Sequence, residues 1–85
     1  MKLPRNESGA GLINKLSSLG YYQTRQIGSH IRVTRNFDGR DQHITIPNHN
    51  PIRVGTLSNI LKEVALQLEI SKKEVINKLY STTFL

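Results

Sequence analysis

The segment Gly28-Ser29-His30-Ile31-Arg32 holds two side chains that could do chemistry together, His30 and Arg32. Residues two apart in an extended strand share a face, about 7 Å apart along the chain. An imidazole titrates near neutral pH, so His30 could accept or donate a proton. The guanidinium of Arg32 could hold two phosphate oxygens. The spacing therefore indicates proton transfer at a phosphodiester, with His30 as acid or base and Arg32 as phosphate ligand.

The whole chain is basic for its length. It has 12 Lys and Arg against 6 Asp and Glu, a formal charge of +6 over 85 residues. This balance favours an anionic partner, with nucleic acid ahead of an acidic protein. Lys2, Arg25 and Arg53 are further candidate phosphate ligands. Ser29 is a candidate to hydrogen-bond the imidazole or the phosphate, although a serine after Gly28 is also an ordinary turn residue.

Length and composition narrow the class of protein. Eighty-five residues predict a single domain, 1–85, with a modest core. The chain has no cysteine, no signal-peptide pattern near Met1 and no apolar run long enough for a membrane span. We therefore expect a cytoplasmic protein without a membrane partner. The carboxylates are scattered and the histidines lack metal-ligand spacing, so no metal and no cofactor are expected.

Apolar periodicity and turn residues predict an α-β-β-β-α-α order, an α+β arrangement. Caps are predicted at Ser8, at Thr56 and at Ser71 with Glu74. The predicted elements are a helix over 9–18, strands over 21–25, 29–35 and 42–46, a helix from Thr56 and a short last helix from Ser71.

The alternation within the strands predicts which face each residue occupies. Ile31 and Val33 point one way, while His30, Arg32 and Thr34 point the other. We expect the helices to cover the aliphatic face and to leave the face of His30 in water. The inward face of the first strand stays open, because both tyrosines at 21 and 22 could pack.

Several short motifs in register resemble the HicA family of bacterial toxins over roughly residues 2–65. These motifs are Lys2-Leu3-Pro4-Arg5, Gly20-Tyr21, Gly28-Ser29-His30-Ile31-Arg32, Asp38-Gly39-Arg40, Ile46-Pro47-Asn48-His49 and Gly55-Thr56-Leu57 with Ile60-Leu61-Lys62. The chain departs from the family pattern at two places. Residues 34–37, which lead into the hairpin, lack the usual proline, and residues 66–70 stand where the family has a short turn into its last helix.

The resemblance implies a fold similar to the double-stranded RNA-binding domain, with an extra short C-terminal helix here. It implies an endoribonuclease that cleaves mRNA without a metal and inhibits translation, with His30 as the catalytic histidine. It also implies a HicB-type antitoxin as partner. Operator DNA would then be bound only indirectly, through the antitoxin.

Three alternatives stay open at this stage. A second proton-transfer group could come from His43 or His49, or a single histidine could suffice. The chain could be a non-catalytic double-stranded RNA-binding module. The last two helices could form a helix-turn-helix that turns Lys72, Lys73 and Lys78 towards DNA.

Overall fold

The computed structural model describes residues 3–80 and has the predicted α+β order, with a three-stranded antiparallel sheet covered by helices on one face. A short 3₁₀ helix, Ser17–Leu19, follows the first α-helix. The elements are α1 (Gly9–Leu16), β1 (Tyr22–Ile27), β2 (His30–Phe37), β3 (Arg40–Pro47), α2 (Val54–Leu68) and α3 (Lys72–Tyr80).

The strands follow one another in the sheet in the order β1-β2-β3, and both connections are two-residue turns. Gly28-Ser29 joins β1 to β2, and Asp38-Gly39 joins β2 to β3 with positive φ at both residues (54° and 77°). Two-residue turns let the strand pairing continue up to the turn itself. The strands are therefore longer than the sequence predicts, and β3 begins at Arg40.

Two of the three predicted caps are confirmed, and the third is wrong. The backbone N–H of Gly11 donates to Ser8 Oγ at 3.0 Å, and that of Glu74 donates to Ser71 Oγ at 3.0 Å. Thr56 does not cap α2, which begins two residues earlier with Arg53 at the cap position. The first helical bond runs from the Leu57 N–H to the Arg53 carbonyl at 2.9 Å.

The core lies between the helices and the predicted aliphatic face of the sheet. Ile31, Val33, Ile44 and Ile46 are all buried there, as predicted. Tyr21 is buried on the same side, and its hydroxyl donates to Gln67 Oε1 of α2 at 2.7 Å. Burial raises the pKa of Tyr21 to about 12.

A buried carboxylate joins the segment before α1 to the last residue of α3. Glu7 accepts from Lys15 Nζ at 2.9 Å and from the Tyr80 hydroxyl at 2.7 Å. Burial and this bond to Glu7 raise the pKa of Tyr80. The carbonyl of Glu7 accepts from the N–H of Ile52 at 2.7 Å, so the same residue also holds the loop before α2. Because Ile52 is fixed and buried here, the chain turns directly into α2, ahead of Thr56.

Helix α1 approaches the end of β3 closely enough to require a glycine. A Cβ atom on Gly9 would lie only 2.3 Å from the carbonyl oxygen of Pro47. Helix α3 packs on α2, and Lys72 bonds to Ser58 of α2. Within residues 3–80, no helix is both long and apolar enough to cross a membrane.

Candidate functional site

The face of the sheet away from the helices, called the outer face below, has three rows of side chains that run across all three strands, and beyond them a two-strand pair of Asn36 and Asp41. Each row runs across the three strands, because directly paired residues of antiparallel strands share a face. The rows are the ring row (Tyr22, Thr34, His43), the arginine row (Arg25, Arg32, Thr45) and the histidine row (Ile27, His30, Pro47).

A β-bulge in β1 brings Arg25 onto the outer face. The register shifts between Gln23, which pairs with Val33, and Arg25, which pairs with Arg32. Strict alternation from the buried Tyr21 would turn Arg25 towards the helices. The extra residue of a bulge reverses the alternation beyond it, so Arg25 and Ile27 face the same side as His30.

His30 and Arg32 lie together on this face, as the strand alternation predicts. With Arg25, Ile27 and Thr45 they line a shallow depression of about 210 Å³, called the sheet depression below. His30 is exposed and Arg32 is half-buried. The imidazole can therefore be reached from solvent beside the two arginines.

The charge of the sheet depression is uncompensated. None of its five lining residues is acidic, and the one ion pair found within residues 3–80 joins Lys15 to Glu7 on the helix side. The Nε of Arg32 is buried and has no hydrogen-bond partner among the described residues. A buried N–H without a partner is costly, and a bound anion would supply the missing acceptor.

Two further predicted phosphate ligands, Ser29 and Arg53, do not line the sheet depression. Ser29 occupies the turn beside it, where its carbonyl accepts from the Asn48 N–H at 2.7 Å. Arg53 lines a separate depression of about 720 Å³, called the loop depression below, together with His49, Thr56 and the loop over 47–52. Lys2 lies outside the described residues.

His43 belongs to the ring row, and its ring is held by a hydrogen-bonded chain. Thr34 Oγ1 lies 2.7 Å from Thr24 Oγ1 and 2.9 Å from His43 Nδ1. The prediction that Thr34 is solvated is wrong, because these neighbours leave it only 2% exposed although it faces outward. His43 lies four positions along β3 from Pro47, the partner of His30, which is about 13 Å. The two imidazoles are therefore too far apart to serve one phosphate.

Sequence reasoning missed Ile27 as a lining residue, because it ended the first strand at Arg25. The Gly28-Ser29 pair was the available signal, since a two-residue turn implies pairing up to Ile27. No pattern in the sequence predicts the bulge between Gln23 and Arg25. The part of the chain that the structure describes has no group of three or more His, Asp or Glu residues that could hold a metal ion.

The fold and its outer face define a small basic α+β protein whose open sheet carries an imidazole next to two arginines. The family described as the HicA toxin of bacterial toxin–antitoxin systems matches residues 9–66, a range that includes all three rows and most of α2. The chain belongs to this family of toxins. Neither a curated protein nor a solved structure matches it.

Proposed function

We propose that this toxin is a metal-independent endoribonuclease that cleaves mRNA and thereby inhibits translation. One observation carries the proposal: His30 stands exposed beside Arg25 and Arg32 in a depression without an acidic lining residue. A proton-transfer group next to fixed cations is what cleavage of a phosphodiester requires. The orphaned Nε of Arg32 supports an anion at this position.

The reaction uses the ribose as its own nucleophile. The 2′-oxygen attacks the adjacent phosphorus, the bond from phosphorus to the 5′-oxygen breaks, and one proton passes overall from the 2′-hydroxyl to the leaving 5′-oxygen. The products are a 2′,3′-cyclic phosphate and a 5′-hydroxyl. Negative charge grows on the phosphate oxygens in the transition state, where Arg32 and Arg25 stabilise it.

His30 carries one of the two proton transfers, and water exchanges the other because the sheet depression is open. His43 does not supply the second transfer, since it lies about 13 Å away along the strands. His49 does not supply it either, because it lines the loop depression and not the sheet depression.

The toxin's partner is a HicB-type antitoxin that covers the outer face. A partner that occupies the sheet depression excludes RNA and neutralises the toxin without any change in its fold. Operator DNA is contacted by the antitoxin, so the toxin reaches the operator only within the complex.

A non-catalytic double-stranded RNA-binding module is the second candidate. The loop depression favours it, because Arg53 and the uncapped start of α2 offer a cation and free N–H groups to a phosphate backbone. Such a module would not depend on the imidazole of His30.

Two experiments separate the candidates. Purified wild-type chain and His30→Ala are incubated with RNA in EDTA, after circular dichroism has confirmed that both fold alike. Both are also induced in a bacterium while growth and mRNA integrity are followed. We expect the wild type to cleave RNA and arrest growth and His30→Ala to do neither while still binding the antitoxin. Equal effects of the two proteins, or a strict requirement for Mg²⁺, would contradict the proposal.

A further inference from the structure

The two neighbouring tyrosines of this chain have opposite surroundings. Tyr21 is 1% exposed and bonds to Gln67 in the core, whereas Tyr22 is 54% exposed. Tyr22 pairs with Thr34 on the outer face, in the ring row. A large aromatic ring that stays half in water adds little to the core and is available to contact a ligand.

The ring row holds a ring side chain on each side of a buried threonine. Its central residue, Thr34, is excluded from water although it faces the open side, so the neighbouring side chains close over it. The bond from Thr34 Oγ1 to His43 Nδ1 fixes the ring of His43 on one flank. Tyr22 stands on the other flank. Nucleic-acid bases stack on ring side chains that a sheet face presents to solvent.

We propose that the ring row binds an unpaired RNA base next to the bond that is cut, with Tyr22 as the main stacking face and His43 beside it. This inference rests on the proposed function and names the kind of RNA that the toxin takes. The arginine row lies between the ring row and His30, at about 7 Å from each. A strand held by its phosphates on the arginine row therefore has a base within reach of Tyr22.

Charge and geometry favour a single RNA strand as the occupant. None of the nine residues of the three rows is acidic, and two are arginines, so these rows complement a phosphate backbone. The one carboxylate nearby on this face, Asp41, lies on the side of the ring row away from the arginines and accepts a hydrogen bond from Asn36. The base faces inside a duplex are covered by their neighbours, whereas unpaired bases can be laid on aromatic side chains. The ring row thus selects unpaired RNA over duplex RNA.

The test compares wild type, Tyr22→Ala, Tyr22→Phe and a control, Phe37→Ala. Phe37 is a matched control because it is 52% exposed but lies at the far end of β2, with its ring against the guanidinium of Arg35. The probe is a fluorescein-labelled 2′-O-methyl RNA hexamer, which has no 2′-hydroxyl and cannot be cut. We expect about tenfold weaker binding for Tyr22→Ala, as for the loss of one stacked base, and changes below about twofold for Tyr22→Phe and Phe37→Ala.

A second set of hexamers carries a single abasic nucleotide at each position in turn. We expect one position to weaken wild-type binding about tenfold, and we expect that loss to vanish in Tyr22→Ala, because the same contact cannot be removed twice. The base site is overturned if Tyr22→Ala binds the intact hexamer as wild type does, if duplex 2′-O-methyl RNA binds as well as the single strand, or if only antitoxin binding responds to Tyr22.

The binding probe separates this inference from the proposed function, because it needs no cleavage. If the wild type cuts no RNA but Tyr22→Ala still loses the hexamer, the base site stands and the nuclease proposal fails. If RNA is cut and Tyr22→Ala binds and cuts like wild type, the nuclease proposal stands and the base site fails.

Discussion

The sheet depression and the loop depression contain the same three residue types in different frameworks. Each offers a histidine, an arginine and a threonine: His30, Arg32 and Thr45 in the first, and His49, Arg53 and Thr56 in the second. The loop depression is the larger, at about 720 Å³ against about 210 Å³. Its residues come from the last residue of β3, the loop that follows and the start of α2, whereas those of the sheet depression come from three paired strands.

The two depressions differ more in how firmly their side chains are positioned than in their volume. Ladder hydrogen bonds on both sides of β2 fix His30 and Arg32 relative to Arg25 and Thr45. Side chains that are already in position lose less entropy when the transition state forms. The smaller depression also holds the second arginine and the unpartnered Nε of Arg32. We therefore propose the smaller site for the chemistry.

The largest expected effect is that of replacing His30, with the corresponding replacement of His49 in the loop depression as the comparison. His30→Ala should lower kcat/KM for RNA cleavage by about 10²- to 10⁴-fold, the usual loss for a positioned proton-transfer group. His49→Ala should change it by less than about threefold, because His49 lies outside the sheet depression. Steady-state cleavage of one labelled RNA measures both. Equal losses in the two variants would remove the distinction between the regions.

The arginines provide the next comparison. Arg32→Ala should lower kcat by about tenfold or more, because it removes a cation from the transition state. Arg32→Lys should recover part of that loss, because lysine keeps the positive charge but lacks the planar guanidinium that can bind two phosphate oxygens. Arg53→Ala should leave kcat nearly unchanged and should at most raise KM. If Arg53→Ala has the larger effect on kcat, the reacting phosphate lies in the loop depression.

Substitution of one glycine near each depression should have opposite effects on the stability of the protein. Gly28 has a φ of +57°, whereas Gly55 lies in the first turn of α2, and both have open space where a Cβ would stand. Gly28→Ala should cost about 1 to 2 kcal/mol, because an alanine is strained at positive φ. Gly55→Ala should instead stabilise by up to about 1 kcal/mol.

Thermal unfolding checks this pair directly. The melting temperature of Gly28→Ala should fall by several degrees, about 4 to 8 °C per kcal/mol for a domain of this size, and that of Gly55→Ala should rise. A stable Gly28→Ala protein would mean that the turn before His30 is not held in the left-handed conformation.

The smallest expected effect concerns Tyr21, which anchors β1, the strand of Arg25, to α2. Tyr21→Phe removes the bond to Gln67 and should lower the free energy of unfolding by about 1 kcal/mol at neutral pH. Tyr21 has a pKa of about 12 in the fold and an ordinary pKa of 10.0 when unfolded. The unfolded chain therefore ionises first, so the wild type loses stability as the pH rises from 10 towards 12.

Urea unfolding at pH 7 and pH 11 measures this effect. Between these two pH values, Tyr21→Phe should lose less stability than the wild type. Equal losses in the two proteins would show that Tyr21 does not ionise on unfolding.

The fold was predictable where a local pattern decides it. Alternation placed Ile31 and Val33 in the core and His30 and Arg32 on the opposite face, and Ser8 was recognisable as a cap. Thr56 was misassigned, because the start of α2 is set by a long-range bond from Ile52 to Glu7, which no local pattern contains.

The site was predictable only in part, for the same physical reason. His30 and Arg32 share one strand, so their proximity follows from spacing alone. Arg25 joins them because of a bulge, and Thr34 is buried by neighbours from both adjacent strands. Such features depend on strand register and cross-strand contacts. The assignment of RNA cleavage to His30 came from the family resemblance, and it stays a prediction.

The ends of the RNA fragments test the central claim most directly. RNA is cut with wild-type chain and with His30→Ala in the presence of EDTA, and the fragment ends are identified by mass spectrometry. We predict that the wild type leaves 2′,3′-cyclic phosphates and 5′-hydroxyls, and that His30→Ala leaves the RNA intact. Fragments with 3′-hydroxyls and 5′-phosphates, or cyclic-phosphate fragments made equally well by His30→Ala, would contradict cleavage through the 2′-hydroxyl at His30.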